Sequence, residues 1–349
     1  MTTQSLSAIP VAFPNKKPAA DGTIILAADI GGTKTNLALF RTDGPDLTRI
    51  RSTTYKSADF ESFGEMVRHF HRGSDLPHRM SIGVAGPVIN DKAGATNLGW
   101  EVDARALRRE FGIDEVYLLN DLEANAYGLA ALDPEKLFTV NSGNPDVPGN
   151  AAIISPGTGL GEAGLFWDGK GYHPFATEGG HADFSPRSAL DVEFLQFLHR
   201  DYDHVSWERV VSGMGIHNIF RFLHEVKGHA IPPELAERIK QGDPAKAIGE
   251  AAQTNCFICV NTMSLFIKYL AIESANLVLK FKATGGLYIG GGIVPKMLET
   301  LKDSDFFAHF IRAGRLKDLM EAVSVKVILD PEAALLGAGW YGVRGRERG

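Results

Sequence analysis

The chain has 349 residues, 44% of them hydrophobic and 22% charged, which is enough for two domains with a sizeable core and argues against disorder. A formal net charge of −6 disfavours nucleic acid as the main partner, because phosphate backbones need a basic field. Two cysteines cannot form a disulfide framework and fit a reducing, cytoplasmic protein.

Residues 1–22 carry proline and small polar residues and no basic segment ahead of a long apolar run. They read as a flexible tail rather than a signal peptide. No apolar run approaches the roughly 20 residues of a membrane span, so no membrane association is expected.

The stretch 23–40, TIILAADIGGTKTNLALF, predicts strand, glycine turn, strand. Residues 60–71 have helical period, and 79–89 form a buried strand ending at Gly86-Pro87. VDARALRREFG predicts a helix closed by Gly112. VYLLNDLEANAYGLAAL, 116–132, is an apolar strand that stops at Asn120-Asp121 before an amphipathic helix. Asn and Asp are favoured helix N-caps, so this boundary has a purely structural explanation. At 151 the pattern restarts, and AAIISPGTGLGEAGLFWDG repeats the hairpin with its threonine-bearing glycine turn. Residues 187–280 are mostly helical, and 248–281 read as one long helix or two. GGLYIGGGIVP is a strand running into three glycines, and 330–342 is a closing helix. Strands alternating with helices predict an α/β protein with mixed sheets.

Three motifs match known patterns without their context. Gly159 to Gly164 spells GxGxxG, but a strand follows where a dinucleotide site needs a helix. Gly164 to Lys170 is Walker-like, yet Gly171 stands where Ser or Thr must reach a cation. Cys256 and Cys259 have metal-ligand spacing but no second pair, and read as core-facing thiols on a helix.

The turn Asp29-Ile30-Gly31-Gly32-Thr33-Lys34 lets backbone amides approach a phosphate, with Asp29 available to Mg²⁺ directly or through water. Gly157-Thr158-Gly159 repeats this chemistry, and Gly290, Gly291 and Gly292 add a close-approach point suited to a base or ribose. In Glu178-Gly179-Gly180-His181 a carboxylate and an imidazole flank a thin backbone, good equipment for sugar hydroxyls, which both donate and accept. Glu208 sits in a predicted first turn, where an acid is favourable for dipole reasons alone.

DIGGTKTNLALF, LLNDLEANAYGL, SPGTGLGEAGL, EGGHADF, ERVVSG and IGGGIVP stand in the order found in bacterial glucokinases, and from about residue 23 onward the chain resembles that family. Each motif is short, but together they are specific to it; the zinc motif of the repressor-containing branch is absent. The resemblance implies a two-lobed actin-like ATPase (ribonuclease H-like) fold with the active site in an interdomain cleft. The small α/β domain would span 23–131 plus 330–349 and the large one 132–329. It implies transfer of phosphate from ATP-Mg to the 6-hydroxyl of glucose, with Asp121 as catalytic base. Asn97, Asn120, Asp121, Glu178, His181 and Glu208 become the sugar ligands. Asp29, Gly31, Gly32, Thr33, Lys34, Gly157, Thr158 and Gly159 become the phosphate and Mg²⁺ cradle, with Gly290 to Gly292 along the adenosine. A homodimer is the family expectation. Lys34 and Met214 depart from residues common in the family, Asn and Pro respectively, and leave the chemistry intact.

On this reading Asp121 both caps its helix and does chemistry. Orientation of the attacking oxygen dominates phosphoryl transfer through a loose transition state. Sugar-driven closure over a hinge near residue 131 would keep water out. Kinases of mannose or an acylamino sugar remain alternatives, as does a non-catalytic sugar-binding regulator, although the tail is too short for a helix-turn-helix.

Overall fold

A computed structural model describes residues 2–4, 9–13, 19–44, 46–71, 76–95, 99–144 and 147–344. Asn97 lies outside them. The chain divides into two compact units, one of Met1–Leu137, Ala163–Ala176 and Asp330–Gly349, the other of Phe138–Glu162 and Thr177–Leu329.

The strands of the first unit are β1 (Thr2–Gln4), β2 (Ile24–Ile30), β3 (Lys34–Asp43), β4 (Asp46–Lys56), β5 (Arg79–Val84), the short β6 (Val88–Ile89), β7 (Lys92–Ala95) and β8 (Trp100–Asp103), and β9 (Glu115–Asn120). Its helices are α1 (Phe63–Phe70), α2 (Ala104–Phe111) and α3 (Asp121–Gly128), joined by the closing helix α12 (Ala333–Arg344). The main sheet runs β1-β4-β3-β2-β5-β9, and β6 to β8 form a separate three-stranded meander. Strands β2, β5 and β9 are parallel, with Ile30 opposite Val84 and Val84 opposite Asn120. Three strands therefore end level with one another. Ligands of open α/β sheets bind at such carboxyl ends.

The sheet is apolar on both faces. Leu26, Ala28, Ile30, Met80, Ile82 and Val84 share a core with Phe63, Met66 and Val67 of α1 and Leu107 and Phe111 of α2. The Leu, Ile, Val, Met and Phe side chains among them each contribute about 1.5–3 kcal/mol when fully buried. On the opposite face α12 lies against Ile25 and Ser81, with Gly342 leaving no room for a methyl group. Gly112 closes α2 at φ 66°, as expected, and Asp103 caps its start by accepting from the Arg105 and Ala106 N–H groups. Within the stretch 1–22, Val11 bridges Tyr172, and the Phe13 ring stacks on Tyr127 at 5.1 Å.

The second sheet runs β10 (Leu137–Asn141), β15 (Val325–Ile328), β14 (Gly286–Ile289), β11 (Ala151–Pro156), β12 (Leu160–Trp167), β13 (Tyr172–Thr177). Between them come α4 (Ala189–Leu198), α5 (Gly213–Glu225), α6 (Pro233–Gln241), α7 (Pro244–Gln253) and α8 (Phe257–Phe281), then the short α9 (Leu298–Lys302), α10 (Phe306–Phe310) and α11 (Lys317–Glu321). The segment left open as one helix or two is two. Asn255 takes a left-handed φ of 61° and Cys256 is the N-cap of α8. Cys259 is fully buried on α8, as its core-facing assignment requires, and burial pushes its thiol up. Helix α8 is long and apolar enough to cross a membrane, with a mean hydropathy of 1.3, which the apolar pattern of the sequence alone did not disclose. However, 67% of that window is buried inside the structure, and Phe266, Tyr269, Leu270 and Val278 lie in the core of the second unit.

Candidate active site

The first glycine turn joins β2 to β3. Gly31 N–H donates to the Lys34 carbonyl at 3.0 Å, the usual closure of a tight hairpin. Ser57 ties the turn to the end of β4: its N–H donates to Thr33 O at 3.1 Å and its hydroxyl to Gly31 O at 3.1 Å. Asp29 is the single carboxylate of β2, one residue before the strand ends. Asn36, its cross-strand partner in register, donates from Nδ2 to Asp29 Oδ2 at 3.2 Å. Thr54 in turn donates to Asn36 Oδ1 at 2.8 Å, so a Thr54–Asn36–Asp29 chain fixes the carboxylate. Burial pushes the Asp29 carboxyl above its ordinary range, and the Asn36 bond only partly opposes this. Lys34 pairs in register with Lys56 on β4, which sets two exposed ammonium side chains beside the turn.

Sequence reasoning missed Asn36, Ser57 and Lys56. Cross-strand register is the signal that finds them: counting outward from the glycine turn places Asn36 opposite Asp29.

At the end of β9 the labour is divided differently from the expectation. Asn120, not Asp121, is the N-cap of α3. Its Oδ1 accepts from Leu122 N–H at 2.9 Å and Glu123 N–H at 3.3 Å, and its Nδ2 donates to Gly86 O at 3.1 Å. Both lone pairs of the amide oxygen are thus used inside the protein, leaving one N–H to offer a ligand. Asp121 occupies the first helical position, partly buried, with Oδ1 accepting from Leu122 N–H at 3.0 Å. Three glycines let α3 sit close enough to place it. A methyl group on Gly83 would lie 3.2 Å from Ala124 Cβ and 3.9 Å from Asp121 Cα. Gly128 lies against the Ala333 backbone, and Gly337 of α12 against the Ala124 carbonyl and Gly128. Asp29, the glycine turn, Gly86 and Asn120-Asp121 therefore share the carboxyl edge of the three parallel strands of this mixed sheet.

In the second unit the remaining predicted residues gather around Leu160, the first residue of β12. The loop Gly157-Thr158-Gly159 closes through Gly157 N–H to Gly159 O at 2.8 Å. Glu208 reaches it from the short 3-10 turn Trp207–Arg209 and accepts from Leu160 N–H at 3.0 Å. A side chain on Gly159 would run into that carboxylate. On the other side of Leu160 its carbonyl meets Gly180, where again no methyl fits. This holds the Glu178–His181 turn, which closes through His181 N–H to Glu178 O at 3.0 Å and leaves Glu178 and His181 exposed. Gly290 donates to Ile154 O at 2.8 Å, and Gly291, at φ 81°, lies directly on the Pro156 backbone. The three-glycine segment and the Gly157 loop are thus neighbours, and only glycine permits the approach at 291.

Glu208, which the resemblance makes a sugar ligand, gives one of its oxygens to the Leu160 backbone N–H, between the Gly159 and Gly180 contacts.

Among the described residues, no three His, Cys, Asp or Glu side chains cluster to hold a metal ion. Asp29 is a fit for a single-carboxylate site shared with phosphate oxygens. It is raised by burial, so a cation would relieve the cost of its charge.

The fold is the actin-like ATPase fold, as in a glucokinase from an Antarctic psychrotroph whose crystal structure is 31% identical, superposes with a TM-score of 0.76 and is covered over 97% of its length by 90% of this chain. A ROK family glucokinase from Streptomyces griseus, solved in complex with glucose and AMPPNP, shares the fold at a TM-score of 0.61 and 20% identity, over 92% of this chain and all of that one. The family model for glucokinase matches residues 26–344. A glucokinase of Nostoc punctiforme is 39% identical over 92% of this chain and 99% of its own length. The chain belongs to the glucokinase family.

Proposed function

We propose that this protein is an ATP-dependent glucokinase that transfers the terminal phosphoryl group to the 6-hydroxyl of glucose. The observation that carries the reading within the family is the common edge of β2, β5 and β9, where the fixed carboxylate of Asp29 and that of Asp121 end level with the glycine turn.

In this mechanism Asp121 accepts a hydrogen bond from the 6-hydroxyl and aims its oxygen at the terminal phosphorus. It takes the proton as the new bond forms. Asn120 holds Asp121 in place through its cap and offers its remaining N–H to the sugar. Glu178 and His181 grip further hydroxyls, and Glu208 uses the oxygen that Leu160 leaves unoccupied. Gly32 and Thr33 in one turn and Thr158 and Gly159 in the other supply backbone amides, and Lys34 a charge, to the phosphates, the Gly31 and Gly157 amides closing their own turns, while Gly290 to Gly292 give the adenosine a thin wall to lie against. Mg²⁺, when bound, neutralises phosphate charge, and Asp29 is the residue that would hold it. The same reading makes the protein a cytoplasmic homodimer that commits glucose to glycolysis.

The test is a coupled assay over a panel of hexoses with ATP, ADP and polyphosphate as donors, using Asp121→Ala as control. Glucose with ATP is expected to give the highest kcat/KM. Nucleotide turnover without any sugar phosphate would refute the assignment, and preference for mannose or an acylamino sugar would correct its substrate.

A further inference from the structure

Two carboxyl groups lie where the proposed chemistry has no use for them. Glu162 on β12 and Glu273 on α8 are 1% and 0% exposed. Each has an Oε1 atom buried without a hydrogen-bond partner. The two groups are electrostatic neighbours, and two bare carboxylates with no donor on these oxygens repel one another out of water. Burial and the Glu273 charge push Glu162 up to about 8, and burial raises Glu273 as well. Among the described residues, Glu273, and not Glu162, has a donor and a cation beside its carboxylate oxygens. Asn276 Nδ2 donates to its Oε2 at 2.7 Å, and Lys280 Nζ lies 3.6 Å from its Oε1, both of which favour charge on Glu273. Arg187 donates to Asn276 Oδ1 at 2.8 Å and completes the set of cations around the pair.

This pair sits directly under the Glu178–His181 turn. Gly179 lies against the Glu162 carboxylate so closely that a methyl group would be 2.9 Å from its Cδ. The backbone repeats the link: Thr177 donates to Glu162 O at 2.8 Å, and Gly179 N–H donates to Thr177 Oγ1 at 3.2 Å. The turn thus rests on Glu162 through its side chain and through its main chain. The charged groups facing the pair are Lys280 and Arg187. From the turn itself, Gly179 brings no side chain, and Glu178 and His181 are exposed.

We infer that Glu162 is a positioning residue for the sugar, its buried side chain forming the floor under Gly179 that sets Glu178 and His181. The inference rests on the proposed function for the sugar's place on that turn. Ionisation of Glu162 sets two buried negative charges against one another beneath a turn to which Gly179 brings no side chain. Sugar affinity then falls as pH rises through the range in which Glu162 ionises, while nucleotide affinity does not.

The experiment measures KM for glucose and for ATP between pH 7 and 9, above the ordinary range of histidine, for the wild type and Glu162→Gln. Glutamine cannot ionise. The wild-type glucose KM is expected to rise about tenfold across the window, with the ATP KM steady, in line with one proton lost per molecule. Glu162→Gln is expected to flatten that rise. A glucose KM that is level in the wild type, or that rises equally in the variant, overturns the inference. Amide hydrogen exchange of residues 177–183 in the sugar-free protein, corrected for intrinsic rates, detects the same displacement without any catalysis. Protection lost above about pH 8 in the wild type only supports the inference, and indistinguishable proteins refute it. If no hexose is phosphorylated at any pH, the assigned function fails while the exchange result still decides the role of Glu162.

Discussion

Replacing Gly337 with alanine tests how Asp121 is held, at a residue with no claim on substrate. Gly337 lies on α12 where that helix crosses α3, and an added methyl would be 2.9 Å from the Ala124 carbonyl carbon and closer to its oxygen. Ordinary contact is about 3.4–4 Å, and the obstacle is helical backbone, which cannot rotate away. The helices must therefore part by on the order of 1 Å. Overpacking of this kind costs about 1–3 kcal/mol. Because α3 begins at Asp121, the same movement displaces the carboxylate, and a misplacement of about 1 Å can cost on the order of 10²-fold in rate. Gly339→Ala on the same helix is the control. Its methyl would meet only side chains, the Phe40 ring at 3.1 Å and Leu47 at 3.2 Å, and these can give by a few tenths of an ångström. Stability to urea and kcat should both fall for Gly337→Ala and change little for Gly339→Ala. A Gly337→Ala protein with wild-type stability and kcat would refute the argument that close helix approach positions Asp121.

Asp29→Asn should remove phosphoryl transfer and yet raise the melting temperature near pH 7. A carboxyl raised in the folded state binds more protons than in the unfolded chain, so stability falls as pH climbs through and above the ordinary aspartate range, and the amide escapes this. The gain should close as the pH is lowered toward 4, and a variant melting below the wild type at neutral pH contradicts the burial argument. Glu162→Gln should behave likewise over a higher window. The wild type should lose stability from about pH 5 to about 8, by a few kcal/mol at roughly 1.4 kcal/mol per unit, and the variant should not. Glu208→Ala removes a charged acceptor from Leu160 N–H and should cost about 1.5–3 kcal/mol in denaturation, with KM raised for both glucose and ATP. A rise confined to glucose would mean that the carboxylate serves the sugar alone.

What could be read from the sequence was local. Both glycine hairpins, the strand end at Asn120-Asp121 and the Glu178–His181 turn were legible because each is written within a few residues and turn chemistry is short-range. The cap could be assigned to either member of Asn120-Asp121, since both residue types favour it; the backbone geometry of Asn120 decided. The helical break at Asn255 was ambiguous because apolar period continues across it. Everything that depended on pairing between distant segments was out of reach. The Glu208–Leu160 bond and the neighbourhood of Glu162 and Glu273 need the fold of the second unit, whereas Asn36 could have been found by counting outward from its hairpin turn. In the sequence Glu162 passes as the polar residue of a glycine-rich strand.

The central claim is that the Asp121 carboxylate orients the sugar hydroxyl for attack, and Asp121→Asn tests it most directly. The amide keeps the size of the side chain and an oxygen for Leu122 N–H. Glucose binding by calorimetry and kcat for glucose phosphorylation should be measured on the same preparation. The account predicts glucose affinity within a few-fold of wild type and a kcat lower by about 10²–10⁴. Near-normal kcat in a protein that binds glucose normally would contradict it.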